Sequence, residues 1–248
     1  MTKPSPSSHT IKLETLLQLL QAGQIEVQGL LPNGSNYTFF ALVSQDEMRT
    51  FAVYKPTRGE QPLWDFPEET LALREVAAYL TSEALGWNFV PPTVFRTGGP
   101  HGAGSLQYFV DAQPDCHYFT LAESEKAELP RVALFDLLIN NADRKGGHII
   151  KDTHDKLWLI DHGICFNTQP KLRTVVWDFG GQPIPDELLE DLTSFRRRLG
   201  DDDDLKEAFA SLLSPAEMQA LRRRADRLLS LRIFPEPGPG RNYPWPPL

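Results

Sequence analysis

Two aspartates, Asp143 and Asp161, lie at the two ends of one short predicted hairpin. Asp143 follows a predicted helix and lies in a polar turn, and Asp161 ends the second strand of the hairpin. Two carboxylates held in this way can meet at a metal–phosphate centre, one beside an acceptor hydroxyl and the other on Mg²⁺. Aspartate is also common in turns, so taken alone the two residues fit a purely structural role equally well.

A cation suited to nucleotide phosphates lies upstream, at Lys55. It ends a predicted strand of alternating pattern, and Glu75 lies on the helix that follows, so an ion pair between them would position the lysine. A single lysine at a strand end is more often a solvated surface group. The turn between the first two predicted strands adds a second indication, because its backbone N–H groups can cover phosphates. The chain has no G-x-G-x-x-G motif, and this turn consists of Asn33, Gly34, Ser35 and Asn36.

The pattern of apolar residues predicts two halves of different character. In the first half we expect two helices, over 11–21 and 68–85. We also expect short alternating strands, near 25–29, 38–43, 49–54, 92–96 and 105–110. The second half is mainly helical, over 129–140 and at least twice between 186 and 231, with a hairpin at 148–151 and 157–161. This order predicts an α+β fold of two lobes, a β-rich N-lobe and a mainly helical C-lobe.

We expect four segments along the chain. Residues 1–10 are a flexible start, 11–112 form the N-lobe, 113–234 form the C-lobe, and 235–248 are a Pro-rich arm. The last fifteen residues contain six prolines and two glycines, which excludes a helix or a central strand. The segment is either disordered or an extended arm held by Tyr243 and Trp245. We predict the ordered arm, because proline lowers the entropy cost of ordering.

Composition excludes several classes of protein. The chain has 248 residues with 25 basic and 33 acidic side chains, a net charge of −8, which argues against nucleic acid as a partner. No apolar run approaches the roughly 18 residues of a membrane span, and the first residues lack the apolar core of a secretory signal. Cys116 and Cys165 are too far apart for a zinc-knuckle spacing or a disulfide framework. We therefore expect a cytoplasmic protein with no transmembrane segment.

Six short motifs are spaced along the chain between about residues 25 and 170. Their sequences are Tyr54-Lys55-Pro56, Arg74-Glu75, Val90-Pro-Pro-Thr93, Gln107-Tyr-Phe109, Asn141-Ala-Asp143-Arg144 and Ile160-Asp161-His-Gly163. Together they resemble the atypical kinases of the phosphatidylinositol 3-/4-kinase superfamily. The resemblance is nearest to type II phosphatidylinositol 4-kinases and HipA-like serine/threonine kinases. More narrowly, the chain is similar to a small bacterial family of that superfamily whose members also end in a Pro-Trp-Pro-Pro-like tail.

The resemblance implies ATP as a substrate and assigns roles along a cleft. Lys55 would contact the nucleotide phosphates, Glu75 would fix it, and Asp143 would be the catalytic acid/base. Asp161 would be a ligand of Mg²⁺ or Mn²⁺. Further nucleotide contacts would come from a phosphate-covering turn, which consists of Asn33, Gly34, Ser35 and Asn36. A hinge facing adenine would add contacts from Gln107, Tyr108, Phe109 and Val110.

One position departs from the family pattern. These kinases usually place an asparagine five residues after the catalytic aspartate as second metal ligand, and here that residue is His148. We predict an ATP-dependent phosphotransferase that moves the γ-phosphoryl group to a hydroxyl acceptor. A protein or small molecule is favoured over a lipid, since no strongly basic amphipathic face is evident. The alternatives are a nucleotide-binding pseudokinase that docks a partner, and a metal-dependent hydrolase with His148, Asp161 and His162 as ligands.

Overall fold

The computed structural model of the chain describes residues 12–31 and 36–248. The start predicted to be flexible, residues 1–10, lies outside the described residues. So do three members of the predicted phosphate-covering turn, namely Asn33, Gly34 and Ser35. No helix in the two described stretches is long and apolar enough to cross a membrane.

The first half of the chain folds into a five-stranded antiparallel sheet. Its strands are β1 (Gln24–Leu30), β2 (Phe39–Gln45), β3 (Met48–Pro56), β4 (Thr93–Arg96) and β5 (Gly104–Tyr108). Their order across the sheet is β1-β2-β3-β5-β4, so β3 is central and pairs with both β2 and β5. Side chains alternate between the two faces of a strand, which fixes the face on which each residue of β3 lies.

Helix α1 (Leu13–Ala22) covers one face of this sheet. Leu19 and Leu20 of the helix pack there with Tyr54 of β3 and Leu106 of β5, all completely buried. Because Tyr54 points towards α1, its neighbour Lys55 points to the opposite face. Strand β3 therefore presents Lys55 to the second half of the chain.

Helix α2 (Leu71–Ala84) follows β3 in the sequence and contacts β4 and β5. A carboxylate caps its start, since Glu60 accepts hydrogen bonds from the backbone N–H groups of Leu71 and Ala72 at 3.2 and 2.9 Å. This cap satisfies donors that the helix itself leaves free and places a negative charge at the positive end of the helix dipole. The helix is followed by Gly86, whose φ of +75° suits a left-handed C-terminal turn.

The second half is mainly helical, and its hydrophobic core also includes residues of α2. Its elements are α3 (Leu129–Ile139), β6 (Ile149–Lys151), β7 (Leu157–Leu159), α4 (Asp186–Asp201), α5 (Asp203–Ala210) and α6 (Pro215–Leu231). Strands β6 and β7 pair as a hairpin. The predicted α+β fold, with a β-rich first half and a mainly helical second half, is confirmed.

Two predicted strands end earlier in the structure than expected, and both end near the candidate site. The strand predicted over 157–161 ends at Leu159, because Asp161 has a φ of +62°, which an extended strand does not include. The strand predicted over 105–110 ends at Tyr108. Beyond it the chain crosses to the hairpin, where the N–H of Gln113 donates to the carbonyl of Lys151 at 2.8 Å.

Residues 235–248 form neither helix nor strand and are held on the second half by hydrogen bonds. The expectation that Tyr243 and Trp245 anchor the arm is wrong, because these side chains are 53% and 77% exposed. The carbonyl of Asn242 accepts from the N–H of Thr174 at 3.1 Å, and the carbonyl of Pro247 accepts from the N–H of Gly146 at 2.7 Å. The arm therefore contacts the turn that connects α3 to the hairpin.

Candidate active site

Lys55 lies near the end of β3 and reaches two carboxylates from different parts of the chain. Its Nζ is bonded to Glu75 of α2 and lies 2.9 Å from Oδ1 of Asp161. Burial alone would lower the pKa of Lys55, but the negative charges of Asp161 and Glu75 outweigh that effect and raise it. Lys55 is therefore a fixed cation between the two halves of the molecule.

Glu75 is buried and connects Lys55 to the loop that carries Asp161. One carboxylate oxygen binds Lys55, and the other accepts a hydrogen bond from the backbone N–H of His162 at 3.0 Å. Because both oxygens are engaged, the orientation of this carboxylate is fixed. The ion pair expected from the sequence is present, and it has a second contact that the sequence did not indicate.

Asp161 and His148 lie side by side next to Lys55. The Nε2 atom of His148 is 3.3 Å from Oδ2 of Asp161. The charge of Lys55 holds the pKa of Asp161 well below its usual range. Burial lowers the pKa of His148 to about 4, although the charge of Asp161 acts in the opposite direction. At neutral pH the pair is a carboxylate beside a neutral imidazole, whose Nδ1 accepts a hydrogen bond from the N–H of Lys145 at 3.4 Å. The carboxylate can donate a lone pair to a metal ion, and Nε2 of the ring can do so once the ring proton is on Nδ1.

This donor set fits a divalent cation that takes its other ligands from phosphate and water. A carboxylate oxygen suits Mg²⁺, which usually keeps several waters and substrate phosphates as ligands, and a neutral imidazole suits first-row ions such as Mn²⁺. Within residues 12–31 and 36–248, no group of three or more His, Cys, Asp and Glu side chains is arranged to hold a metal.

His162 does not join Asp161 and His148 as a third ligand. Its Nε2 is 2.7 Å from a guanidinium nitrogen of Arg144, and its fully buried ring packs edge-on against Phe135. The ligand set of the hydrolase alternative is therefore not assembled.

Asp143 lies in the turn between α3 and the hairpin, with its carboxylate beside Lys145. The Nζ of Lys145 is 3.4 Å from Oδ2 of Asp143, and the backbone N–H of Asp143 donates to the side chain of Asn141 at 3.0 Å. Burial raises the pKa of Asp143 to about 6; Lys145 and Arg173 oppose the rise, and the charge of Asp161 adds to it. Such a carboxylate is mostly ionised at pH 7 and basic enough to accept a hydroxyl proton.

Arg144 and Asp136 form a fully buried ion pair beneath the site. The Nε of Arg144 lies 3.1 and 3.2 Å from the two carboxylate oxygens of Asp136. The guanidinium also donates to the carbonyls of His148 and Ile160, at 3.3 and 3.1 Å. It thereby fixes the backbone at both candidate metal ligands. No role was expected for Asp136 from the sequence. An acid within the apolar run of α3 could have indicated a buried ion pair, because a buried charge needs a partner.

A second buried ion pair joins α2 to α6. Arg74 is 1% exposed, pairs with Glu217, and donates to the carbonyl of Cys165 at 2.6 Å. Because Arg74 directly precedes Glu75, this pair sets the position of the helix that presents Glu75 to Lys55. Arg74 and Glu217 are 143 positions apart, and no local pattern in the sequence indicates their pairing.

The four predicted hinge residues lie where β5 ends. The side chain of Gln107 is buried and its amide donates to Thr93 at 2.8 Å, so this amide is already engaged. The N–H groups of Tyr108 and Phe109 donate to other backbone carbonyls at 2.8 and 3.0 Å. The N–H of Val110 has no acceptor among the described residues.

Asn36 is the one described member of the predicted phosphate-covering turn. Its Oδ1 accepts a hydrogen bond from the N–H of Gln61 at 2.7 Å, and the N–H of Tyr37 donates to the carbonyl of Gly59 at 3.1 Å. These bonds attach the end of the turn to the loop that directly follows β3.

The sequence is similar to a mycobacterial protein and, over a shorter stretch, to plant phosphatidylinositol 4-kinases. No family model matches it. It is 38% identical over 263 aligned residues to protein Rv2133c of Mycobacterium tuberculosis (strain ATCC 25618 / H37Rv), covering 92% of this chain and 94% of that protein. It is 35% identical over 124 residues to phosphatidylinositol 4-kinase gamma 4 of Oryza sativa subsp. japonica, covering 43% of this chain and 22% of the kinase. The chain thus spans about a fifth of the plant kinase's length.

Solved kinase structures share the fold. The Golgi casein kinase matches with a TM-score of 0.54 at 17% identity, over 88% of this chain and 74% of that one. The same kinase with Mn/ADP bound gives 0.50 at 18% identity, again over 88% and 74%. The Helicobacter pylori proinflammatory kinase CtkA gives 0.53 at 12% identity, over 87% and 94%. At such identities the likeness shows the fold alone, an atypical kinase-like one. By its sequence, the chain belongs to the family of the mycobacterial protein Rv2133c.

Proposed function

We propose that the chain is an ATP-dependent phosphotransferase, an atypical kinase that moves the γ-phosphoryl group of ATP to a hydroxyl acceptor. The observation that carries the proposal is the meeting of Lys55 and Asp161 at 2.9 Å from positions 106 residues apart, with Asp143 close by. Phosphoryl transfer needs a cation on the nucleotide phosphates, a metal ligand and a group facing the acceptor hydroxyl. Lys55, Asp161 and Asp143 would supply these three.

ATP would bind with its phosphates at Lys55 and its adenine at the end of β5. The N–H of Val110, which has no acceptor among the described residues, is consistent with this orientation. Next to it, Phe40 stacks on Phe51 and meets Phe109 edge-on, with ring centroids 4.9 and 4.8 Å apart. Phe51 is 46% exposed and lies on the same face of β3 as Lys55. An apolar surface for a flat base therefore leads towards the lysine, and the turn at 33–36 would cover the phosphates.

Asp161 and His148 would hold Mg²⁺ or Mn²⁺. The chemistry that such an ion would supply, when bound, is positive charge to offset the negative charge of the nucleotide phosphates. A solved kinase of the same fold contains Mn/ADP, which supports the use of a nucleotide with a divalent cation. Arg144 would keep both ligands in place through the carbonyls of His148 and Ile160.

Asp143 would accept the proton of the acceptor hydroxyl. Its pKa of about 6 leaves it ionised at pH 7 and close to the value at which a general base is most effective. We also propose that the chain is related to the phosphatidylinositol 4-kinases, on the strength of the partial similarity to the plant gamma enzymes. The acceptor would be a protein or a small molecule more readily than a lipid.

A nucleotide-binding pseudokinase is the second candidate, and one observation favours it. His148 occupies the place of the usual asparagine and lies 3.3 Å from Asp161. A protein that binds the nucleotide through Lys55 with a weakened metal site would act by docking a partner.

Turnover of labelled ATP in the presence of Mg²⁺ or Mn²⁺ distinguishes the two candidates. The phosphotransferase predicts ADP release by the wild type and by Lys12→Met, a control at an exposed lysine before α1, and its loss in Lys55→Met. Nucleotide binding without turnover in the wild type would identify the pseudokinase. Absence of nucleotide binding would refute both.

A further inference from the structure

The turn that carries His148 contains two adjacent glycines. Gly146, Gly147 and His148 form a single 3₁₀ turn between α3 and β6, and the N–H of His148 donates to the carbonyl of Lys145 at 3.1 Å. Glycine loses more backbone freedom on folding than any other residue and brings no side chain that could fix its position. The conformation of this turn, and hence the direction of the His148 ring, therefore depends on contacts from outside the turn.

Two such contacts come from residues 247 and 248 of the arm. The carbonyl of Pro247 accepts a hydrogen bond from the N–H of Gly146 at 2.7 Å. The Cδ1 atom of Leu248 lies 3.5 and 3.8 Å from the positions that a Cβ atom would occupy at Gly146 and Gly147. A backbone hydrogen bond and a leucine methyl group of the arm therefore both act on the two glycines.

The ring of Phe119 lies against the same turn. A Cβ atom at Gly146 would come within 2.6 Å of Cε2 of Phe119, which is closer than two carbon atoms can approach. Phe119 and Leu248 thus occupy the space of the absent side chain, and Gly146 is buried although both of these residues are exposed. Only glycine fits at this position, so the turn relies on its neighbours to hold it.

The arm reaches the turn from an anchor on the buried ion pair beneath the site. The carbonyl of Asn242 accepts hydrogen bonds from the N–H of Thr174 at 3.1 Å and from Nε1 of Trp177 at 3.0 Å. The hydroxyl of Thr174 donates to Asp136 at 3.0 Å, and Asp136 pairs with Arg144. Because the arm is attached to this ion pair at 242, its contacts at 247 and 248 hold the turn in a defined place relative to that pair.

We propose that Pro247 and Leu248 are positioning residues of the metal site, which act through the turn at 146–147 to hold the His148 ring beside Asp161. The inference rests on the function proposed above, in which these two ligands hold Mg²⁺ or Mn²⁺. Groups behind a metal ligand orient it, and the loss of one such group usually weakens metal binding about 10- to 100-fold.

Asp161 is held by other contacts. Its carboxylate lies 2.9 Å from Lys55, and Arg144 donates to the preceding carbonyl, that of Ile160, at 3.1 Å. Neither contact involves the arm. Loosening the arm should therefore free the imidazole of His148 and leave the carboxylate in place, so that the metal site loses one ligand and keeps the other.

The test compares the wild type with a chain truncated after Pro246, which lacks both positioning residues and keeps the anchor at Asn242. Calorimetry measures the binding of Mn·ADP, and pulsed electron paramagnetic resonance measures the coupling of the Mn²⁺ electron spin to a ring nitrogen of His148. We expect the truncated chain to bind Mn·ADP about tenfold more weakly or less tightly still, and to lose most of the nitrogen coupling. Trp245→Ala, at an exposed position of the same arm, is the matched control and should keep both.

Two further variants separate positioning from a general loss of stability. In the truncated chain, Gly147→Ala should restore the affinity about two- to fivefold, because alanine restricts the turn. The φ of Gly147 lies outside the left-handed region, and a Cβ there meets no atom closer than 3.8 Å. In His148→Asn, which lacks the imidazole, truncation should change the affinity by less than about twofold, because the two changes act on the same ligand.

The inference is overturned if the truncated chain binds Mn·ADP with the affinity and the nitrogen coupling of the wild type. It is also overturned if truncation weakens binding by the same factor in the wild type and in His148→Asn, because the arm then acts on something other than the imidazole. Absence of Mn·ADP binding by the wild type would instead overturn the proposed function, and this inference with it.

Discussion

Replacing Asp143 by asparagine should make the protein more stable at neutral pH while it removes phosphoryl transfer. Burial raises the pKa of Asp143 to about 6 in the folded chain, whereas an aspartate in an unfolded chain has a pKa of about 3.9. The folded state therefore holds the proton more tightly than the unfolded state. Its stabilising effect is complete below about pH 4 and is lost as the pH rises through about 6. Asparagine keeps the shape of the neutral acid and does not titrate.

The size of the effect follows from the two pKa values. A difference of about two units corresponds to about 3 kcal/mol. The side chain of Asp143 is 25% exposed, and solvent screening reduces that upper bound. We therefore expect Asp143→Asn to increase the free energy of unfolding by about 1–3 kcal/mol above about pH 7 and to leave it unchanged at about pH 4.

Urea denaturation between about pH 4 and pH 8, followed by the fluorescence of the five tryptophans, measures this difference. Lys145→Gln is the matched comparison. Because Lys145 lowers the pKa of Asp143, its removal should extend the loss of stability to higher pH. If the free energies of wild type and Asp143→Asn differ by a constant amount over the whole range, the reasoning is refuted, because Asp143 then ionises at its ordinary pKa.

Substitutions elsewhere in the site and the arm should have separable effects. Lys55→Met should lower kcat/KM for ATP at least about 100-fold with an unchanged circular dichroism spectrum, and unchanged turnover would remove Lys55 from the site. Asp161→Asn should weaken metal-dependent ADP binding while Asp143→Asn spares it, so equal losses in calorimetry with Mn²⁺ would contradict this division of roles. His148→Asn should shift the metal preference of turnover from Mn²⁺ towards Mg²⁺. Since the pKa of His148 is about 4, the preference of the wild type for Mn²⁺ should persist down to about pH 6. If both proteins turn over equally with either metal, His148 is not a ligand. Truncation after Phe234 should lower the melting temperature by about 3 °C or more, because it removes the hydrogen bonds of the arm. An unchanged melting curve would show that these bonds do not contribute to the stability of the folded chain.

Local sequence patterns were sufficient for the residues that regular elements position. The alternation of β3 and the helix that follows it indicated Lys55 and Glu75 as partners, and their ion pair is present in the structure. The short hairpin likewise brings His148 to within 3.3 Å of Asp161. In each case the residues lie on or beside elements that are near neighbours in the sequence, so local patterns could indicate the contact.

The buried polar contacts beneath these residues could not be predicted in the same way. Arg74 finds Glu217 across 143 positions, and this contact depends on how α2 packs against α6. Asp161 has a φ of +62° in the loop after β7, where Lys55 and Glu75 both bind the loop. The predicted strand was too long for this reason. Tertiary contacts decided the backbone conformation there, and apolar periodicity does not report them.

The two buried ion pairs hold the elements that bring Lys55 and Asp161 together. Removing one partner of a fully buried pair, such as Arg144 with Asp136, costs about 3–5 kcal/mol. The positions of α2 and the hairpin are thus set by this frame of buried ion pairs, and the attraction between Lys55 and Asp161 acts within it. If a nucleotide and its metal bind as proposed, the phosphates would take the place of Asp161 at Lys55 and the metal would take the place of Lys55 at Asp161, while the frame of buried ion pairs stays unchanged.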